Sequence, residues 1–292
     1  MKRKLPRLDM DIQSEIQKIA ARLLKNKEVA MVIGYGAGSA PNRTAPVFID
    51  KEKDVGKLVF NRFCVNNLSL YLPRLKEKGK IAIVAKPCDV RTIVCLIQEK
   101  QIERDKVHII SFACPGLLEK DGKTLFASCA ECAVTLPPVY DTLSGEAKEM
   151  ERNEPFTDRV ADFFSKMPAE RWEMFKAEME KCIRCYACRN ACPMCYCEEC
   201  FVERSLPRWI GEGSEVTDTM IFHIVRAIHT AGRCGECGAC ARACPMDVNL
   251  APLAKQIRED MLNLFHHQAG VDPNAPAALE TFKPDDYNDF IK

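Results

Sequence analysis

No stretch of this 292-residue chain contains the run of roughly 18 to 20 apolar residues that a membrane-crossing helix needs, which removes helical membrane proteins from consideration. The beginning, MKRKLPRLDMDIQSE, turns from basic to acidic and amphipathic without the apolar core of a signal peptide, and this sets the expectation of a cytoplasmic protein. An excess of one charge is missing too. Against 42 Lys and Arg stand 41 Asp and Glu, so bulk attraction to nucleic acid or anionic lipid is not expected. A content of 47% hydrophobic and 28% charged residues argues against disorder. No residue set reads as a nickel, molybdenum or tungsten centre, or as an acid-base catalytic pair. Gly34-Tyr35-Gly36-Ala37-Gly38 fails as a dinucleotide fingerprint: the third glycine position falls at Ser39, and Pro41 and Pro46 prevent the helix that should follow.

What the chain has in excess is cysteine. There are 17, an odd number, in a chain without an export signal, where a reducing compartment disfavours stable disulfides. The excess therefore calls for metal chemistry, redox chemistry or burial.

The patterning divides the chain. Ile12, Ile16, Ile19 and Leu23 recur at helical spacing, with Asp9 or Asp11 available as an N-cap. Residues 29–33, closed by the glycines at 34 and 36, and Pro46 to Ile49 read as buried strands. Ile81 to Ala85 reads as a strand and Lys86-Pro87-Cys88 as a turn. Asp89 would cap a helix with Val90, Ile93, Val94 and Ile97 on one face, before a strand from Val107 to Phe112. This strand-helix-strand order predicts a right-handed crossover between parallel strands. Residues 1–150 are thus expected to form an α/β domain with a mainly parallel sheet, with the boundary within 142–156. Residues 151–268 are expected to be helical, with helices over 157–165, 169–181, 216–231 and 250–264. Residues 269–292 form a Pro-rich extended tail, expected to wrap over the surface or onto a partner.

Two cysteine runs carry the strongest signal. Cys182-x-x-Cys185-x-x-Cys188-x-x-x-Cys192-Pro193 is followed by Cys234-x-x-Cys237-x-x-Cys240-x-x-x-Cys244-Pro245. In this bacterial ferredoxin arrangement three closely spaced thiolates hold one 4Fe-4S cube and the fourth, beside Pro, ligates the other. One cluster then takes Cys182, Cys185, Cys188 and Cys244, and the other Cys234, Cys237, Cys240 and Cys192. The long segment between the runs, with Met220, Ile221, Ile224, Val225 and Ile228 on a helix, resembles the helical ferredoxin module of succinate dehydrogenase iron-sulfur subunits and heterodisulfide reductase small subunits, over residues 157–268. His223 and His229 read as ordinary helix residues.

A second constellation lies upstream. Cys88 and Cys114 each follow a strand of the predicted parallel unit, so they should meet at one sheet edge, and Cys129-x-x-Cys132 adds a chelating pair. These four thiols fit a third 4Fe-4S cluster, a zinc site or buried cysteines equally well. Cys195, Cys197 and Cys200 suit an additional cluster completed by a distant thiol such as Cys64, or zinc, or a role as alternative ligands. Cys64 and Cys95 stand in apolar surroundings, as inert buried thiols do.

Pro87-Cys88, then Phe112-Ala113-Cys114-Pro115-Gly116, then Ser128-Cys129-Ala130-Glu131-Cys132 followed by Tyr140-Asp141-Thr142-Leu143-Ser144-Gly145, resembles the beta subunits of deazaflavin-reducing hydrogenases and formate dehydrogenases. The likeness covers residues 28–145. Asp89 stands where that family has Gln, Pro115 where it has His, and Asn66-Asn67 near a Gly-Gly turn. The resemblance implies FAD beside a third 4Fe-4S cluster, seated by Gly34, Gly36, Asn66, Asn67, Lys86, Pro87 and Asp89. It also implies an electron-transfer subunit passing electrons between FAD and a chain of clusters. Its partners would be a formate dehydrogenase or hydrogenase catalytic subunit, heterodisulfide reductase-like proteins, or a soluble two-electron carrier. The alternative is a flavin-free ferredoxin-type adaptor that docks a partner and relays electrons. A zinc-stabilised scaffold is a third reading.

Overall fold

A computed structural model describes residues 7–150 and 160–278. The chain separates into two compact units. The first takes the described residues of Met1–Thr157 together with Gly235–Cys237 and Gly270–Ala275, and the second those of Asp158–Cys234, Gly238–Ala269 and Pro276–Lys292.

The first unit is a mixed five-stranded sheet with helices. Helix α1 (Arg7–Lys25) buries Ile12, Ile16 and Leu23 of the stripe that the spacing predicts, while Ile19 is half-buried and Ala20 takes a buried place beside it. It begins at Arg7, so Asp9 and Asp11 lie inside its first turns rather than at an N-cap, where acidic residues favour the helix dipole. Strand β1 (Met31–Ala37) runs straight through Gly34 and Gly36, which were expected to close it. A Cβ at Gly34 would stand 2.4 Å from Cδ2 of Leu58, so the glycine makes room for a neighbour rather than for a turn. Strand β2 (Thr44–Ile49) pairs antiparallel with β1 and is the sheet's edge. Of its residues only Ile49 is fully buried, which corrects the expectation of a buried strand and accounts for Pro46 in its middle.

Strand β3 (Ile81–Val84), helix α2 (Pro87–Gln98) and strand β4 (Val107–Phe112) follow in order, with β3 parallel to both β1 and β4. Covered on both faces, β3 is buried at every position. Helix α2 starts at Pro87, so Asp89 sits in its first turn and is not the cap; Lys86 occupies the cap position. A short fifth strand, β5 (Thr142–Ser144), pairs parallel with β4 and gives the order β2-β1-β3-β4-β5. From the tail, Asp272 and Ala275 accept hydrogen bonds from Nε2 of Gln98 at 3.2 and 2.6 Å; residues 279–292 lie outside the described residues.

Within the second unit are helices α3 (Pro168–Glu180), α4 (Val216–His229) and α5 (Ala251–Phe265), with single turns at Ala161–Ser165, Ala187–Asn190 and Ala239–Arg242. Its core gathers Met179, Cys188, Val202, Ile210, Met220 and Phe222, with further cysteines packed against it. Of the apolar residues on helix α4, Met220 is buried and Ile224 and Val225 are half-buried. Ile221 and Ile228 are exposed, whereas Phe222, His223 and Arg226 are buried. No helix among the described residues is long and apolar enough to cross a membrane.

Candidate metal centres

Parallel strands that end side by side deliver their following residues to one place. In the first unit Cys88 lies in the first turn of α2, just past β3, and Cys114 just past β4. The chain between β4 and β5 then makes one helical turn, Ala127–Ala130, which carries Cys129 and leads to Cys132. Cys88, Cys114, Cys129, Cys132 and Cys237 line one small open cavity. Two of these sulfurs accept backbone N–H groups, Cys114 from Gly116 and Cys129 from Leu117, each at 3.4 Å. Such bonds favour the thiolate over the thiol. Burial, and then the Asp89 carboxylate, push the Cys88 thiol well above its ordinary value, while Lys86 opposes them.

The segment Gly235–Cys237 reaches this cavity because its first residue has no side chain. A Cβ on Gly235 would lie 2.7 Å from Cγ2 of Thr92 and 3.1 Å from the carbonyl oxygen of Cys88. Glu236 then accepts a 2.9 Å ion pair from the buried Arg91. Cys237, which its spacing assigns to the second ferredoxin cluster, therefore stands beside Cys88. Among the described residues no three His, Cys, Asp or Glu side chains stand at the spacing of a single metal ion. Four ligands on a cube each meet a different iron.

The residues that the resemblance assigns to a flavin are mostly gathered around Tyr35, in an internal network. Lys86 and Asp89, 1% and 0% exposed, form an ion pair at 2.7 Å. Lys86 Nζ also donates to the carbonyl of Asn66 at 2.7 Å and to the Tyr35 hydroxyl. Tyr35 Oη lies 3.1 Å from Asp89 Oδ2. Asn67 caps the single turn Leu68–Tyr71 through Ser69 and donates to Thr92 at 3.2 Å. Gly34 and Gly36 are filled against Leu58 and Val47. Of the seven, Lys86 and Pro87 line the cavity. The Lys86 and Asp89 side chains are engaged with each other, with Asn66 and with Tyr35, and Asn67 with Ser69 and Thr92, so as a set these seven do not fit a flavin.

The two cysteine runs repeat one backbone shape. Arg184 and Tyr186 in the first run, and Glu236 and Gly238 at the equivalent places in the second, have positive φ values of 50°, 58°, 57° and 67°. A single helical turn follows each, at Ala187–Asn190 and Ala239–Arg242, and the two turns contact each other. For a non-glycine residue the left-handed region costs roughly 1 to 2 kcal/mol, so three such residues at matched positions mark a loop with a requirement beyond packing. Cys182 has Cys244 and Cys185 as charged neighbours, and Cys188 has Cys240 and Cys182. The Cys182 and Cys244 sulfurs accept N–H groups from Arg184 and Val248, both at 3.4 Å. No disulfide joins any of the 17 cysteines.

Cys195, Cys197 and Cys200 part company. Cys195 bonds to Cys192, which together with Arg226 lowers it to about 7, whereas Cys200 interacts with Arg189 and Cys197 is exposed. Cys64 and Cys95 are buried, at 0% and 2% exposure. His229 packs edge-on against Phe201. His223, which reads in the sequence as an ordinary helix residue, instead brings Nε2 to 3.4 Å from Sγ of Cys182. The sequence signal for it was available: His223 and Arg226 are one turn apart on the helix that links the two runs.

Repeated left-handed loops, clustered thiols and N–H groups directed at sulfur make a donor set that suits iron-sulfur clusters. Residues 178–248 match the family model of the 4Fe-4S dicluster domain. The chain is similar to the F420-dependent formate dehydrogenase subunit beta of Methanocaldococcus jannaschii, 22% identical over 346 aligned positions that cover 87% of this chain and 90% of that one. It is similar also to the F420-dependent formate dehydrogenase 1 subunit beta of Methanococcus maripaludis, again 22% identical, over 80% of this chain and 84% of the relative. A chain of the F420-reducing NiFe hydrogenase complex from Methanosarcina barkeri aligns over 39% of this chain and 43% of its own, with 18% identity and a TM-score of 0.31. The homologues of this chain are thus formate dehydrogenase beta subunits, and it carries a 4Fe-4S dicluster domain.

Proposed function

We propose that this chain is an electron-transfer subunit of a multi-subunit oxidoreductase of the formate dehydrogenase or hydrogenase kind, working beside a separate catalytic subunit. The observation that carries the reading is the repeated backbone of the two cysteine runs, with Cys182, Cys185 and Cys244 as neighbours across them. Relatedness to formate dehydrogenase beta subunits over most of the chain supports it. Cys182, Cys185, Cys188 and Cys244 would hold one 4Fe-4S cluster, and Cys234, Cys237, Cys240 and Cys192 the other. Cys88, Cys114, Cys129 and Cys132 would hold a third. Such clusters supply one-electron uptake and release. The chain's own part is to present thiolates and to direct the N–H groups of Arg184, Val248, Gly116 and Leu117 at sulfur.

FAD, which the resemblance implies, has a narrower basis, because Lys86, Asp89 and the Asn66 carbonyl are joined in one buried network and Asn67 is bonded to Ser69 and Thr92. The flavin-free relay, with the first unit serving as a docking module, is favoured by that same network.

Anaerobic purification of the full chain, with iron, zinc and acid-released flavin measured per chain, tests the proposal. About twelve iron supports three clusters, counting four per cube. About eight reduces the chain to the dicluster relay, and zinc in place of iron overturns it. One flavin per chain would restore the flavin reading on other residues.

A further inference from the structure

Helix α4 turns toward the cysteines a face that an apolar core would not select. His223, 3% exposed, holds Nε2 3.4 Å from Sγ of Cys182. One turn on, Arg226 is 9% exposed and donates Nη2 to the carbonyl of Cys188 at 3.1 Å. The buried Nε of Arg226 has no hydrogen-bond partner among the described residues. Isoleucines occupy the exposed side of the same helix.

A buried guanidinium carries a desolvation penalty of several kcal/mol unless an anion lies close. The groups that surround Arg226 and favour its charge are thiols, Cys240, Cys192, Cys195 and Cys188. A lone neutral thiol is a poor counter-ion. Thiolates that ligate iron are good ones. The cation is therefore placed where negative charge collects once metal is bound.

We infer that Arg226 and His223 are positioning residues that raise the reduction potentials of the clusters on these cysteines, Arg226 by its buried charge and His223 by a hydrogen bond from Nε2–H to the Cys182 thiolate. The inference rests on the proposed reading that these cysteines hold clusters. Reduction adds one electron and hence one negative charge, and a cation held nearby in a medium of low dielectric favours that state. Hydrogen bonds to ligating sulfur act in the same direction. The two residues differ in reach. His223 meets the sulfur of Cys182 in the first run, while Arg226 faces thiols from both runs.

The test is an anaerobic redox titration of the full-length chain followed by electron paramagnetic resonance, with iron measured in every sample. Arg226→Gln is expected to lower the midpoint potentials of both dicluster signals at unchanged iron, and Arg226→Lys to restore most of the difference. His223→Leu should lower one signal and leave the other in place, with His223→Gln, which keeps an N–H, falling between. Potentials that superimpose on wild type in Arg226→Gln and His223→Leu at full iron overturn the inference. Should Arg226→Gln lose iron, the decision passes to His223→Leu: a single lowered potential supports the inference and an unmoved one overturns it. Failure of wild type to show any cluster signal would overturn the proposed function instead.

Discussion

The Lys86 ammonium and the Asp89 carboxylate lie 2.7 Å apart with almost no exposure, at the start of the helix that also carries Cys88. Tyr35 and the carbonyl of Asn66 complete their hydrogen bonding. A buried pair of this kind contributes little beyond an apolar replacement, but its loss on one side leaves the other charge stranded. Lys86→Met or Asp89→Leu alone is expected to cost about 3 to 5 kcal/mol. The double variant should cost much less than the two together. Anaerobic urea unfolding of the four proteins of this cycle measures the coupling, and simple additivity would refute it.

The cavity past β3 and β4 yields a second prediction. Replacing Cys129 and Cys132 together by Ser should lower iron by about four per chain, the content of one cube. The spectroscopic signals of the dicluster should persist. Unchanged iron would mean that these thiols hold no cluster.

His108, on β4, has Nε2 2.9 Å from Oγ1 of Thr142 on β5. Burial lowers its pKa below the ordinary 6.5, against Asp141 and with help from Lys80 and Arg22. The folded chain therefore keeps the ring neutral where the unfolded chain begins to protonate it. Stability from this group is complete above pH 6.5 and declines as pH falls below it toward the folded-state value. Between pH 7.5 and 5.5, unfolding midpoints of wild type should fall more than those of His108→Gln. Parallel declines would show that His108 is not the source.

Gly235 is the fourth candidate for substitution. Its missing Cβ admits the segment bearing Glu236 and Cys237 against Thr92 and the carbonyl of Cys88. Gly235→Val is expected to destabilise by about 1 to 3 kcal/mol, as overpacking does. It should also break the ion pair of Arg91 with Glu236. If Gly235→Val and Glu236→Gln prove fully additive in unfolding experiments, the segment is not held in this way.

The parts of the molecule legible in the sequence are those governed by local spacing. The ferredoxin runs depend on intervals between cysteines, and β3, α2 and β4 on hydrophobic periodicity with a proline at the helix start. What escaped depends on partners far away in the chain. Asp89 looks like a cap because its true partners include Tyr35, which β1 supplies. The glycines of β1 look like a turn because Leu58, which fills the space above Gly34, is distant in sequence. On helix α4, His223 and Arg226 are buried beside Met220 and Phe222 because their partners, the Cys182 sulfur and the Cys188 carbonyl, come from the first cysteine run. The departure of Cys197 and Cys200 from Cys195 had no signal in their spacing.

The two borders of the sheet have a bearing on behaviour in a crowded cell. Strand β2 places Pro46, which offers no backbone N–H, in the middle of one border, and β5 presents only three residues at the other. A strand from a second molecule would meet a gap in the donor row on one side and a ladder too short to hold it on the other. The chain is thereby guarded against stacking into strand-paired polymers at high concentration, and subunit assembly is left to side-chain surfaces, where charge and shape can discriminate between partners.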